Sequence, residues 1–131
     1  MATAEGTFEI TSMGEDTLRE LDGGGKFTHA NGTQRFSGDV EGDGSVEWLM
    51  CYVPTGGASY VGLQRIDGAI AGHAGSLVIQ AAGRFDGAAS SGSWTVVEGS
   101  GTGDLEGITG EGRFDAPGGS TATYSLEYRL P

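Results

Sequence analysis

Tyr124-Ser125-Leu126-Glu127-Tyr128-Arg129-Leu130, near the end of the 131-residue chain, alternates apolar and polar residues without a break. A period of two puts Tyr124, Leu126, Tyr128 and Leu130 on one face of an extended strand and Ser125, Glu127 and Arg129 on the other. Phe8 and Ile10 alternate in the same way with Thr7, Glu9 and Thr11 near the start. Nowhere does an apolar 3.6-residue repeat last three turns. The most helix-leaning residues, Glu15 to Leu21, run straight into Asp22-Gly23-Gly24-Gly25 and leave room for one short turn.

Turn signals recur at Asn31-Gly32, Asp43-Gly44, Gly56-Gly57, Gly72, Asp86-Gly87, Gly99 to Gly103 and Gly118-Gly119, mostly at strand-length intervals. The pattern predicts about eight strands, at 3–11, 26–40, 45–54, 59–71, 75–85, 88–97, 108–116 and 121–130. Parallel pairing needs crossover helices, so the strands form an antiparallel meander. Closing it removes both sheet edges, and about eight strands enclose just enough room for side chains or one small ligand. The expected fold is therefore an all-β, antiparallel, closed barrel in one domain, 1–131, with a β-sandwich as the alternative.

Composition narrows the partners. Seven Lys plus Arg against 18 Asp plus Glu give a net charge of -11, which repels nucleic acid and acidic membrane surfaces. No run approaches the roughly 20 apolar residues of a spanning helix. The first residues carry neither a basic region nor an apolar stretch of signal length, so a cytoplasmic location is expected. Cys51, the single cysteine, allows no intramolecular disulfide. Twenty-six glycines fit tight turns and kinks in curved strands better than disorder, because apolar residues recur in every segment after residue 26.

The middle strands are apolar on both faces. Val46, Trp48, Met50 and Tyr52 oppose Leu49, Cys51 and Val53; Val61 and Leu63 oppose Tyr60 and Ile66; Val78 opposes Leu77 and Ile79. With no helix to cover the outer side, another copy of the chain is the expected cover, so a homo-oligomer is expected. Period two does not say which face is inward, since a one-residue slip exchanges every side chain.

Several stretches carry a family likeness. They are Gly6-Thr7-Phe8-Glu9-Ile10-Thr11, Phe36-Ser37-Gly38-Asp39-Val40-Glu41-Gly42, Glu47-Trp48-Leu49-Met50-Cys51-Tyr52, Tyr60-Val61-Gly62-Leu63-Gln64-Arg65, Gly75-Ser76-Leu77-Val78-Ile79-Gln80, Gly99-Ser100-Gly101-Thr102-Gly103-Asp104-Leu105 and Tyr124-Ser125-Leu126-Glu127-Tyr128. Together they resemble a bacterial family of unknown function whose members are similar to allene oxide cyclase barrels. The resemblance implies a closed, calycin-like barrel with a central cavity, and cofactor-free chemistry of the cyclase kind on a hydrophobic small molecule. It also implies a histidine after the glutamine at position 80. Ala81 stands there, so histidine-based proton transfer does not carry over.

Other motifs favour plain structural readings. Gly99 to Gly103 lacks the lysine, helix and spacing of a phosphate loop and sits among Glu98, Asp104 and Glu106. Asp39, Glu41, Asp43 and Gly44 begin like a calcium loop, but Met50 holds the closing position, which leaves a solvated acidic hairpin and no metal site. No Gly-x-Ser-x-Gly elbow exists, His29 and His73 read as surface residues in or beside turns, and Cys51 reads as core.

Glu47, Arg65 and Gln80 are the polar residues least easily dismissed. If their face is interior, Glu47 and Arg65 form a buried pair, with Glu47 as general base or Arg65 as oxyanion stabiliser. The plainer reading is an ion pair at a rim or subunit interface. Trp48, Met50, Tyr52, Trp94, Tyr124 and Tyr128 supply an aromatic wall, joined by Gln64 and Gln80 as candidate substrate contacts, although core filling accounts for several of them. A cofactor-independent cyclase or isomerase acting on a hydrophobic substrate in the cavity is the expected function; the alternatives are a non-catalytic carrier of an apolar metabolite and a filled barrel acting only as an assembly unit.

Overall fold

The computed structural model describes residues 1–118 and 121–131. Eight strands follow one another: β1 (Ala2–Glu20), β2 (Lys26–Gly38), β3 (Val40–Tyr52), β4 (Ala58–Ile70), β5 (His73–Phe85), β6 (Ser90–Val96), β7 (Thr109–Ala116) and β8 (Thr121–Arg129). Each pairs antiparallel with the next and β8 returns to β1, closing the barrel and setting the sandwich aside. The helical structure among the described residues is one 3-10 turn, Gly103–Leu105, and no helix is long and apolar enough to cross a membrane.

Some boundaries differ from those expected. β1 does not end near residue 11; it runs to Glu20, its second half paired with Lys26–Thr33 over bulges at Ile10/Ser12 and Thr17/Arg19. Pairing with β2 overrides a weak helical lean over these residues. β8 follows β1 only as far as Glu9, which leaves the second half of β1 with one open edge. The bulges, Glu15, Asp16 and Glu20 guard that edge against further strand pairing.

Asn31-Gly32 and Asp43-Gly44 are not turns but lie inside β2 and β3. The chain reverses instead at Gly38-Asp39, where Gly38 has a φ of 101° and the Asp39 carboxylate accepts the Glu5 N–H at 2.9 Å. Of the signal at Gly118-Gly119, Gly119 lies outside the described residues.

The interior glycines have a packing role instead. A Cβ on Gly62 would stand 2.6 Å from Trp48 Cδ1, one on Gly83 2.6 Å from the Tyr60 hydroxyl, and one on Gly92 2.8 Å from Phe114. Aromatic rings from the adjacent strand lie across bare backbone at these positions. The barrel interior thereby takes rings that side chains on both strands would exclude.

The interior has a filled end and an open end. At the filled end Val40, Ile66, Ile70, Leu77, Leu105, Ile108 and Leu126 are all essentially inaccessible. Loop 97–102 runs along β5 where β6 has stopped: Val97 N–H donates to the Val78 carbonyl, and Thr102 N–H to that of Ser76. The Ser100 and Thr102 hydroxyls accept from the Val78 and Ser76 N–H groups, both at 3.0 Å. The Gly-Ser-Gly-Thr-Gly stretch therefore completes the wall and delivers Leu105 and Ile108 as a plug. Midway, Phe8, Phe36, Trp94, Phe114 and Tyr124 form one ring cluster, with Trp94 stacked on Tyr124 at 5.6 Å and on Phe8 at 5.9 Å.

Closure decides the strand phase. Val46, Trp48, Met50 and Tyr52 face in, and Leu49, Val61 and Leu63 face out, each more than half exposed. Cys51, expected in the core, is on the outer phase of β3 and half-buried. His29 is not beside a turn but within β2, 2.9 Å from Glu47.

Candidate functional site

Above the ring cluster the barrel stays open as a cavity of about 380 Å³. Phe8, Trp94 and Phe114 make its floor, while Trp48, Met50, Tyr60, Ala81 and Phe85 make much of its wall. Its mouth lies at the end that carries the β1–β2, β3–β4 and β5–β6 turns. The last of these is held by Asp86 Oδ1, which accepts the N–H groups of Ala88 and Ala89 at 2.9 and 2.8 Å, bonds that lower the Asp86 pKa. Met13 and Glu15, on the half of β1 that β8 does not reach, and Gly118 form one side of the mouth.

Three polar groups interrupt the apolar lining. Deepest is a pair of buried carboxamides, Gln64 Nε2 donating to Gln34 Oε1 at 3.3 Å. This bond uses one donor and one acceptor, so the pair retains Gln34 N–H groups and the Gln64 carbonyl for a further partner. Higher up, the Tyr60 and Ser90 hydroxyls bond one another. Burial raises the Tyr60 pKa, which the Ser90 bond partly offsets, so the phenol is neutral and able to donate. At the mouth, Glu15 Oε2 accepts from Tyr52 at 2.7 Å and from Thr28 Oγ1 at 2.6 Å. Burial, together with the Glu15 bond and charge, pushes Tyr52 up to about 12. No lysine, arginine or histidine lines the cavity among the described residues.

The residues singled out from sequence are divided by the barrel wall. Trp48, Met50, Tyr52, Gln64 and Trp94 line the cavity. Tyr124 and Tyr128 are buried below it in the filled half. Tyr124 ties that half together: its hydroxyl accepts the Val40 N–H at 2.9 Å and lies 3.0 Å from the Ser37 carbonyl and 3.2 Å from that of Val40. Gln80 is exposed on the outer face.

Glu47 and Arg65 require correction as a buried catalytic pair. Both are on the outer face, Glu47 bonded to His29 and Arg65 3.6 Å from Asp67, with side chains more than half exposed. They belong to the phase of Leu49 and Leu63, which closure turns outward because the larger Trp48, Met50 and Tyr52 fill the inside. The sequence reading missed Glu15, Gln34, Tyr60 and Ser90. Gln34 and Tyr60 share a phase with Phe36 and Ile66, a signal available in the alternation; Glu15 had none, since it was assigned to a turn.

No curated protein matches the chain. Among solved structures, a protein of unknown function from Shewanella oneidensis MR-1, of the DUF3224 family, superposes with a TM-score of 0.84 over 100% of this chain and 98% of its own. The two are 22% identical, a likeness that bears on fold alone. The family model for proteins of unknown function DUF3224 matches residues 4–128, nearly the entire chain, and this protein therefore belongs to the DUF3224 family.

Proposed function

We propose that the protein binds a compact, uncharged, mostly apolar small molecule in the barrel cavity, with one polar group of the ligand directed at Gln34 and Gln64. The observation that carries this is the cavity itself: about 380 Å³, open at one end, apolar but for a few neutral groups and Glu15. That volume is within the range of about 300–1,000 Å³ typical of small-molecule sites and would hold roughly ten water molecules. An anionic ligand finds no cation in the lining, and burying an unpaired charge is strongly unfavourable. A neutral carbonyl, amide or hydroxyl instead matches the free valences of the glutamine pair.

The cyclase or isomerase reading rests on one feature, the Tyr52–Glu15 pair at the mouth, a donor and a carboxylate able to polarise a carbonyl or hold a proton. Carriage without chemistry requires only the cavity, and is the reading we favour.

Both tryptophans of the chain, Trp48 and Trp94, line the cavity, so intrinsic fluorescence reports on its occupancy. Titration with a neutral phenylnaphthylamine dye is expected to quench tryptophan emission and enhance dye emission. Ala81→Leu, which fills the cavity from the wall, is expected to abolish both responses while unfolding remains cooperative. Equal dye binding by wild type and Ala81→Leu would sink the proposal.

A further inference from the structure

We propose that the outer face of β2–β5 is an interface at which a second copy of this chain docks. The register places Leu49 beside Val61, Phe27 beside Cys51 and Glu47 beside Leu63, so the apolar side chains are contiguous across neighbouring strands. Leu49, Val61 and Leu63 are 53–54% exposed and Phe27 is 43% exposed. Leu18, 60% exposed, extends the patch into a shallow groove with Phe27, Leu49 and Val61. Isolated exposed apolar residues are ordinary; a block on adjacent strands of a barrel wall marks a surface that is covered in use.

Size and charge both favour a second copy. Four strands about 4.8 Å apart, and four outward residues at roughly 6.8 Å repeats, give a face of about 500 Å². Two such faces bury on the order of 1,000 Å², the lower bound for a specific interface. The chain carries 18 acidic residues and a net charge of -11, a strong bar to self-association. Yet in the four registered rows from Phe27 to Thr33 the one outward acid is Glu47, held by His29, while Arg65 and Arg84 stand at the margins. Acidic repulsion on this face is thus confined to one carboxylate. An isologous contact needs a surface complementary to itself; an apolar centre meets that requirement, and Glu47 and Arg65 supply opposite charges at its rim. The proposal is independent of the cavity, which opens at the barrel end and not through this wall.

Sedimentation equilibrium of the full chain tests it. The wild type is expected at twice the 13.4 kDa chain mass or more. The double variant Leu49→Lys, Val61→Lys is expected to run as a single chain, with association weakened on the order of 100-fold or more, two large contacts being lost at the centre. Leu49→Thr, Val61→Thr keeps strand-favouring side chains and is expected to dissociate in the same direction, so a folding defect in the lysine variant leaves the test intact. A wild type that stays monomeric at the highest attainable concentration, or an assembly that survives both variants with unchanged circular dichroism, would overturn the proposal.

Discussion

The Tyr52 hydroxyl and the Glu15 carboxylate meet at 2.7 Å across the cavity mouth and join β3 to the half of β1 that β8 does not reach. Thr28, on the intervening β2, donates to the same carboxylate oxygen. One carboxylate therefore gathers three strands at the rim, and the protonation of Tyr52 becomes coupled to closure of that rim.

That coupling has a definite sign. The folded protein raises Tyr52 from 10.0 to about 12, so it favours the neutral phenol. The stabilisation is complete below pH 10 and is lost as pH rises through about 12. Tyrosinate absorbance is expected to lose one late-ionising step in Tyr52→Phe, while the Tyr60 and Tyr124 phenols, also raised by burial, keep theirs. In Glu15→Gln the step is expected to move to lower pH while staying above the ordinary value, because burial, the largest cause, remains. An unmoved step would separate Glu15 from the shift.

Removing the Tyr124 hydroxyl strands a buried donor. Tyr124→Phe leaves the Val40 N–H without its acceptor, with an expected loss of about 1–3 kcal/mol in denaturant unfolding. Because Tyr124 is below the floor, dye titration of the cavity is expected to be unchanged.

Gly62→Ala tests the ring seats. The new Cβ would sit 2.6 Å from Trp48 Cδ1 and 2.5 Å from the Glu47 carbonyl oxygen, so both ring and strand must shift. A loss of about 1–3 kcal/mol, as for overpacked cores, is expected together with altered tryptophan emission. Unchanged emission would show that the ring does not rest on this glycine.

Gln64→Leu separates polar from apolar recognition. The dye, which has little use for the glutamine pair, is expected to bind within a few-fold of wild type. Amide-bearing competitors that displace it from wild type are expected to lose affinity by roughly 10-fold, the worth of about one hydrogen bond. Equal competition in both proteins would remove Gln64 from the site.

Local physics alone determined the strand content of this chain. The alternation at Phe8–Ile10 and Tyr124–Leu130, the glycine punctuation and the lack of any helical repeat lead to an antiparallel meander, and most strand limits follow to within a few residues, while the return of β8 to β1 chose the closed barrel over the sandwich. The reading failed where glycine has two meanings. Gly32 and Gly44 read as turns because sequence alone does not show the neighbouring backbone or ring that makes a bare Cα necessary. Tertiary structure also decided which face of β3 and β4 is inside. Trp48 and Leu49 are equally at home in a strand, and only closure of the whole wall, with the larger set filling the interior, turns Glu47 and Arg65 out to solvent and Gln64 in beside Gln34. The cavity mouth came from further still: Glu15 reaches it because β1 outruns β8 and pairs on with β2, a relation between residues far apart in sequence that no local pattern encodes.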